Sequence, residues 1–348
     1  MKLSSIILKI AVKMDGQRSL NASLHVLRGK RSGQTLQDID YFSVKPYFSL
    51  LPKLADSTFA EAVRTLQHEG MIRESEGIVT VTEKGKQTEK ELRVFHFDGW
   101  NYRGREEIFF LRLVLLVQTL SQLRESRNSF HPITNDRKIQ QFVKEVLRSL
   151  YDARQNSARY LADELLLAME MTGISDLQAS IMSHRLTGAG ASGWTWEQLE
   201  EATSEPVASL KLEYLEALHR LLAVSESEEV AEKLPILHKV AHGIRIETPL
   251  TDSTAITKRL FDQGVSIEEI ASARQLKVNT IEDHISEIAA NDRDFPIVRF
   301  VKREDQLAVK TEVKNNDVKR LRLLKDKFPH LSYFQLRLIL STMKGEHV

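Results

Sequence analysis

The chain has 348 residues, 42% hydrophobic and 28% charged, with a formal net charge of +1; this is the make-up of a folded protein too long for one ordinary domain. The absence of cysteine excludes disulfides, thiolate catalysis and cysteine-ligated zinc, and is expected of a reducing, cytoplasmic setting. The opening "MKLSSIILKIAVKM" has an apolar stripe interrupted by Lys9 and Lys13, unlike a signal peptide, and no run approaches the roughly 18 to 20 apolar residues of a membrane span.

Residues 1–98 are read as a winged-helix-like domain. In "ADSTFAEAVRTLQHEG", Phe59, Val63 and Leu66 recur at helical spacing behind a Ser57 or Asp56 cap, with Gly70 as the stop. Two β-rich runs follow, Met71 to Arg73 and Ile78 to Thr82, around Ser75-Glu76-Gly77, with Lys84 and Lys86 at the end of the hairpin. This layout resembles the winged-helix superfamily, in which the last helix enters the major groove and the hairpin touches the backbone. The helix would then present Ser57, Thr58, Glu61, Arg64 and Gln67, a surface of mixed charge that suits protein docking as well as DNA.

Residues 99–248 carry helical periodicity almost throughout and are read as a helical bundle. "REEIFFLRLVLLVQTLSQL" is apolar nearly all round from Ile108 to Leu123, which marks a central helix in which Arg112 must find a partner or reach the edge. Thr195, three residues before Gln198, opens a later helix with a capping box. "GAGASG", Gly188 to Gly193, satisfies a dinucleotide fingerprint, but the segment before it is helical, so a loop between helices is expected. His238 and His242 have a metal-ligand spacing without the glutamate or third ligand that would complete a site. A phosphate-cradling loop and a nucleophile elbow are both missing, and the chain is expected to be no enzyme and to need no cofactor or metal.

Residues 249–348 are read as a helix-turn-helix domain with a basic helical tail. Ser266 and Glu269 form a capping box that starts the first helix, "IEEIASARQL". Ile267, Ile270, Ala271, Leu276, Val278, Ile281, Ile285 and Ile288 supply the inward apolar set across the turn. The outward face of the second helix would be Asn279, Thr280, Glu282, Asp283, Ser286 and Glu287, with His284 at its margin. Acidic side chains there suit the helix dipole but would oppose the phosphates of a groove. That face is therefore expected to contact a partner, with Lys258, Arg274 and Lys277 available to hold a DNA backbone from the flanks. The fold class expected is mainly α and multi-domain: a winged helix with a small β-hairpin, a helical bundle and a helix-turn-helix.

Charge is unevenly spread. Residues 1–98 carry 15 basic and 12 acidic side chains, 99–250 carry 17 and 21, 251–296 carry 5 and 9, and 297–348 carry 12 and 6. Basic ends flank an acidic middle, and the ends could meet phosphates. The nucleic-acid candidates are accordingly Arg28, Lys30 and Arg31 in "RGKRSG", Arg64, Lys84 and Lys86 near the hairpin, and Lys319, Arg320, Arg322 and Lys325 in the tail.

"LFDQGVSIEEIASARQLKVNTIEDHISEI", with "RLRLLKDKFPHLSYFQLRLILSTMK" after it, resembles the helix-turn-helix region at the C-terminus of some RecQ-type DNA helicases. It resembles still more closely the stand-alone bacterial YpbB-type proteins, which tend to be encoded beside such a helicase. The clear part of the match runs from Thr251 to Lys344. It departs at Lys277, where relatives commonly carry a serine cap, and at Glu282-Asp283, where DNA-reading regulators often have basic or amide residues. The resemblance implies an accessory or adaptor protein of DNA repair or replication that cooperates with a RecQ-type helicase and makes auxiliary, weak or non-specific DNA contacts. A sequence-specific transcriptional regulator is the alternative.

Overall fold

The computed structural model describes every residue except 1, 15, 76, 128, 151–155, 247–249, 293, 317–320 and 344–348. The fold is mainly helical. In chain order it runs α1 (Leu3–Lys13), α2 (Leu20–Arg28), α3 (Gly33–Tyr41), α4 (Asp56–His68), β1 (Ile72–Ser75), β2 (Ile78–Val81) and α5 (Glu83–Glu91). Then come α6 (Gly99–Tyr102), α7 (Glu106–Arg124), α8 (Arg137–Ser149), α9 (Ser157–Thr172), α10 (Asp176–His184), α11 (Trp196–Thr203), α12 (Val207–Ser225) and α13 (Pro235–Ala241). The last elements are α14 (Asp252–Asp262), α15 (Ile267–Ala273), α16 (Val278–Asn291), α17 (Arg303–Asn316), α18 (Leu321–Lys327) and α19 (Tyr333–Ser341).

These elements build two compact units, which differ from the three consecutive segments expected from the sequence. One unit comprises Met1–Ile6 and Glu91–Ile246; the other joins Ile7–Lys90 to Glu247–Val348. Two segments far apart in the chain, 7–90 and 247–348, thus share one unit. Hydrophobic patterning locates elements along the chain but does not say which distant elements share a core.

In the 91–246 unit, α7 buries Phe109, Phe110, Leu113, Val114, Leu115, Leu116 and Leu120. They pack with apolar side chains of α8, α9, α10, α12 and α13. Leu123 emerges in the last turn at 44% exposure. Arg112 reaches the bundle edge, where Nη1 donates to the carbonyls of Val240 (3.0 Å) and His242 (2.9 Å) at the end of α13. The segment before α6 is fastened to α12 by ion pairs from Arg93 to buried Glu213 and Glu216, while the His96 amide donates to Glu216. Thr195 and Gln198 form the expected capping box of α11. Gly188–Gly193 lies in the loop between α10 and α11 and is tied to α7 by the Ala189 amide, which donates to Ser121 Oγ. The ring of His238 bonds the Ser225 carbonyl through Nδ1 at 2.9 Å.

In the other unit, α4 buries Phe59, Val63 and Leu66, and β1 and β2 pair antiparallel with Ile72 opposite Val81 and Ser75 opposite Ile78. The Gly16 amide donates to the Val79 carbonyl, and the Val79 amide donates to the Arg18 carbonyl, so the chain before α2 lies along β2. Helices, then a hairpin, follow the winged-helix order. One element was not expected: α5, whose Gly85 lies so close to the hairpin that a Cβ would collide with the Met71 carbonyl. Lys84 and Lys86 consequently sit in this helix and not at the hairpin tip. Among the described residues no helix is long and apolar enough to cross a membrane.

Candidate nucleic-acid interface

The helix-turn-helix is built from α14, α15 and α16. Ser266 Oγ accepts from the Glu269 amide, and the Glu269 carboxylate accepts from the Ser266 amide, so α15 begins at the capping box read from the sequence. The turn closes through Gln275, which adopts a left-handed φ of 53°. Ile270, Ala271, Ile281, Ile285 and Ile288 are buried, joined by Phe261, Phe295, Phe334 and Leu338. Val278, expected inside, is 41% exposed, because α16 starts there and its first residue extends past the core. Lys277 stands at the N-cap without a side-chain cap bond.

The acidic second helix is not an open surface. Helix α16 packs against α14, α15 and α19 within the domain, and against α3 from the N-terminal part of the same unit. Gly33 opens α3 directly against Asp283, leaving no room for a Cβ, and Asp283 Oδ1 accepts from Arg337 Nη1 of α19 at 2.9 Å. Glu287 is 4% exposed and faces inward: it accepts from the Thr251 amide at 2.8 Å and from Thr254 Oγ1 at 2.7 Å. Ser286 is also buried and turns its hydroxyl back to the Glu282 carbonyl. Of the six residues expected to face a partner, Ser286 and Glu287 therefore belong to the interior. Asp283 is held by Arg337, Thr280 and Glu282 are half-buried, and Asn279 is exposed. Burial raises the Glu282 carboxyl above its ordinary value, opposed by the Arg337 guanidinium and aided by the negative charges of Asp283 and Glu268.

The cations expected to hold nucleic acid divide into engaged and open groups. Arg274 turns inward, donating to the Ser253 carbonyl at 2.7 Å, to Ser253 Oγ at 2.8 Å and to Thr257 Oγ1. Arg28 donates to the Leu54 carbonyl and pairs with Asp56. Lys84 caps the end of α4 through the Glu69 carbonyl, and Lys325 closes the end of α18 through the Pro329 and Leu331 carbonyls. These four act in the fold: Arg28, Lys84 and Lys325 meet loop or helix-end carbonyls, which no intrahelical amide satisfies, and Arg274 ties the first turns of α14 to α15. Lys86 pairs with Glu83 and Lys258 with Asp262, each within one helix, while Lys30 Nζ lies 3.3 Å from His25 Nε2. Arg31, Arg64, Lys277 and Arg322 are exposed. Lys319 and Arg320 lie outside the described residues.

Sequence reasoning missed the polar interior of the domain. Thr254 and Thr257 are fully buried and belong to two bonded groups, Thr254 with Glu287 and Thr257 with Arg274 and His284. Threonine within an amphipathic helix carries no mark that distinguishes such a role. Arg18 and Arg337 were also missed; each is held by a carboxylate distant in sequence, Asp38 and Asp283.

Residues 253–340, from α14 into α19, match a family described as a helix-turn-helix domain. The fold and this match define the class: a mainly helical protein with a C-terminal helix-turn-helix. The chain is 29% identical over 346 residues to Protein YpbB of Bacillus subtilis (strain 168), a span of 97% of this chain and 96% of that protein. The chain is thus similar over nearly its whole length to a YpbB protein and carries a C-terminal helix-turn-helix domain. No solved structure matches the chain.

Proposed function

We propose that the protein is a non-enzymatic accessory factor that contacts DNA through cations outside its helix-turn-helix reading face and cooperates with a RecQ-type helicase. The observation that carries the reading is the cover over α16. A helix that reads bases must lie in the major groove, whereas the Asp283 face of α16 lies against Gly33 of α3 and is bonded to α19. DNA contact then falls to exposed cations such as Arg31, and Arg64 on the outer face of α4. Such contacts act on the backbone and do not distinguish sequence. The helicase part of the reading is supported by the resemblance of Thr251–Lys344 to the C-terminal region of RecQ-type helicases.

Duplex affinity of the full chain, measured against salt, tests the DNA contact. Unrelated sequences should bind equally, and Arg31→Glu with Arg64→Glu should weaken binding and lower the log–log salt slope by about 2. Nanomolar preference for one operator would instead establish the transcriptional regulator. Capture of the tagged protein from its own cytoplasm after nuclease treatment tests the partner. Retention of a RecQ-type helicase is expected, and its consistent absence would refute the cooperation.

A further inference from the structure

In the unit formed by Ile7–Lys90 and Glu247–Val348, an open recess of about 470 Å³ is lined by Arg18, Gln34, Leu321, Arg322, Tyr333 and Arg337. Three of the six lining side chains are guanidinium groups and none is a carboxylate. The compensating acids, Asp38 and Asp283, pair with two of these guanidiniums without lining the recess. Asp38, with a side chain 3% exposed, takes two-pronged hydrogen bonds from Arg18 Nε and Nη2 at 2.8–3.0 Å. Asp283 holds Arg337 Nη1. Arg18 is further fixed through Nη1 to the Gln17 carbonyl and by the face of Phe42, 5.0 Å away. Two guanidiniums are therefore preset before any ligand arrives, which limits the ordering cost of binding.

Donors remain for a ligand. Arg337 Nε is buried and bonds to no protein atom, and Arg322 is exposed. Tyr333 precedes Arg337 by four residues on α19, so the two share a face, and the residue is 48% exposed. Planar forks of N–H donors match the oxygens of a phosphate better than any other side chain does, and an open aromatic ring beside them offers a stacking surface for a base.

We propose that this recess is a phosphate site that takes the phosphate of a nucleotide unit, with the attached ring system against Tyr333. The proposal rests on the DNA-contacting reading above for the identity of its ligand as nucleic acid. The same chemistry is carried by a strand end, an internal backbone phosphate and a free nucleoside monophosphate.

The test uses the full chain, Arg322→Gln and Tyr333→Ala, with a 3′-labelled single-stranded oligonucleotide bearing either a 5′-phosphate or a 5′-hydroxyl, and with adenosine monophosphate alone. Arg322→Gln should lower affinity about tenfold, as loss of a charge-assisted fork would, and Tyr333→Ala should lower it less. Both side chains are exposed, so an unchanged melting temperature is expected and separates site loss from misfolding. A 5′-phosphate preference that vanishes in Arg322→Gln supports a strand-end site. Equal, Arg322-dependent binding of both oligonucleotides supports a backbone-phosphate site. Arg322-dependent binding of the monophosphate without either oligonucleotide or the duplex supports the recess and overturns the DNA-contacting reading. Oligonucleotide binding that neither variant alters, with no binding of the monophosphate, overturns the recess and spares that reading. No binding of any probe overturns the recess while duplex binding spares that reading, and loss of duplex binding as well overturns both.

Discussion

Glu287 shows how one residue can follow a pattern on paper and act otherwise in the fold. Its place on α16 suggested an outward charge, yet it is buried and accepts from the Thr251 amide and the Thr254 hydroxyl. Glu287→Ala should destabilise the domain by about 2–3 kcal/mol, because two buried donors lose a charged acceptor; a urea midpoint at neutral pH measures it. His284 makes stability sensitive to pH. Burial, then the Arg274 guanidinium, lowers its pKa, with Asp283 opposing, while Nδ1 lies 2.8 Å from Thr257 Oγ1. The unfolded chain consequently binds the proton more firmly than the folded one. The stability that His284 contributes is present above the ordinary imidazole value, about 6.5, and is lost as pH falls below it. Urea midpoints at pH 7.5 and 5.5 should differ less in His284→Gln than in the parent protein, and an equal difference would place the sensitivity elsewhere.

At the scale of elements, the capped helices were readable and their neighbours were not. The boxes at Ser266/Glu269 and Thr195/Gln198 depend on residues three apart, so the sequence contains every atom of the motif. The contact of α3 with α16 involves residues 250 apart, Gly33 and Asp283, and no local pattern encodes it. Gly33→Ala should push Asp283 away from Arg337 and destabilise the unit. In an Asp283→Ser background the same change should cost less, because the obstructing carboxylate and its bond are already gone. Additive effects in a double-mutant cycle of unfolding free energies would show that the two sites are uncoupled. Helix α5 is the opposite lesson: it is strongly polar, with only Gly85 buried, so it lacks the apolar stripe by which amphipathic helices announce themselves.

For the whole molecule, the division into Met1–Ile6 with Glu91–Ile246 and Ile7–Lys90 with Glu247–Val348 changes what can stand alone. A fragment of residues 249–348 would lack α3, leaving the faces of α16 and α19 that meet it open to water. It should melt earlier and less cooperatively than the full chain and bind a hydrophobic dye, whereas a fragment of residues 91–246 should unfold cooperatively around the core centred on α7. A sharp, dye-free transition in the C-terminal fragment would show that α3 is dispensable. By itself the sequence determined the helical class, the hairpin, the capping boxes of α11 and α15 and most of the apolar register of the helix-turn-helix, because each depends on side chains within a few turns of one another; the Ser57 or Asp56 cap expected for α4 is not made, since Ala55 stands at its N-cap. Only the tertiary structure decided which charges are free. Arg274, Lys84 and Lys325 are drawn to nearby carbonyls, Asp283 to Arg337, and Glu287 to buried threonines. A buried hydrogen-bonding group must find a partner wherever the chain brings one, and that choice is made by packing across the unit, not by spacing along the sequence.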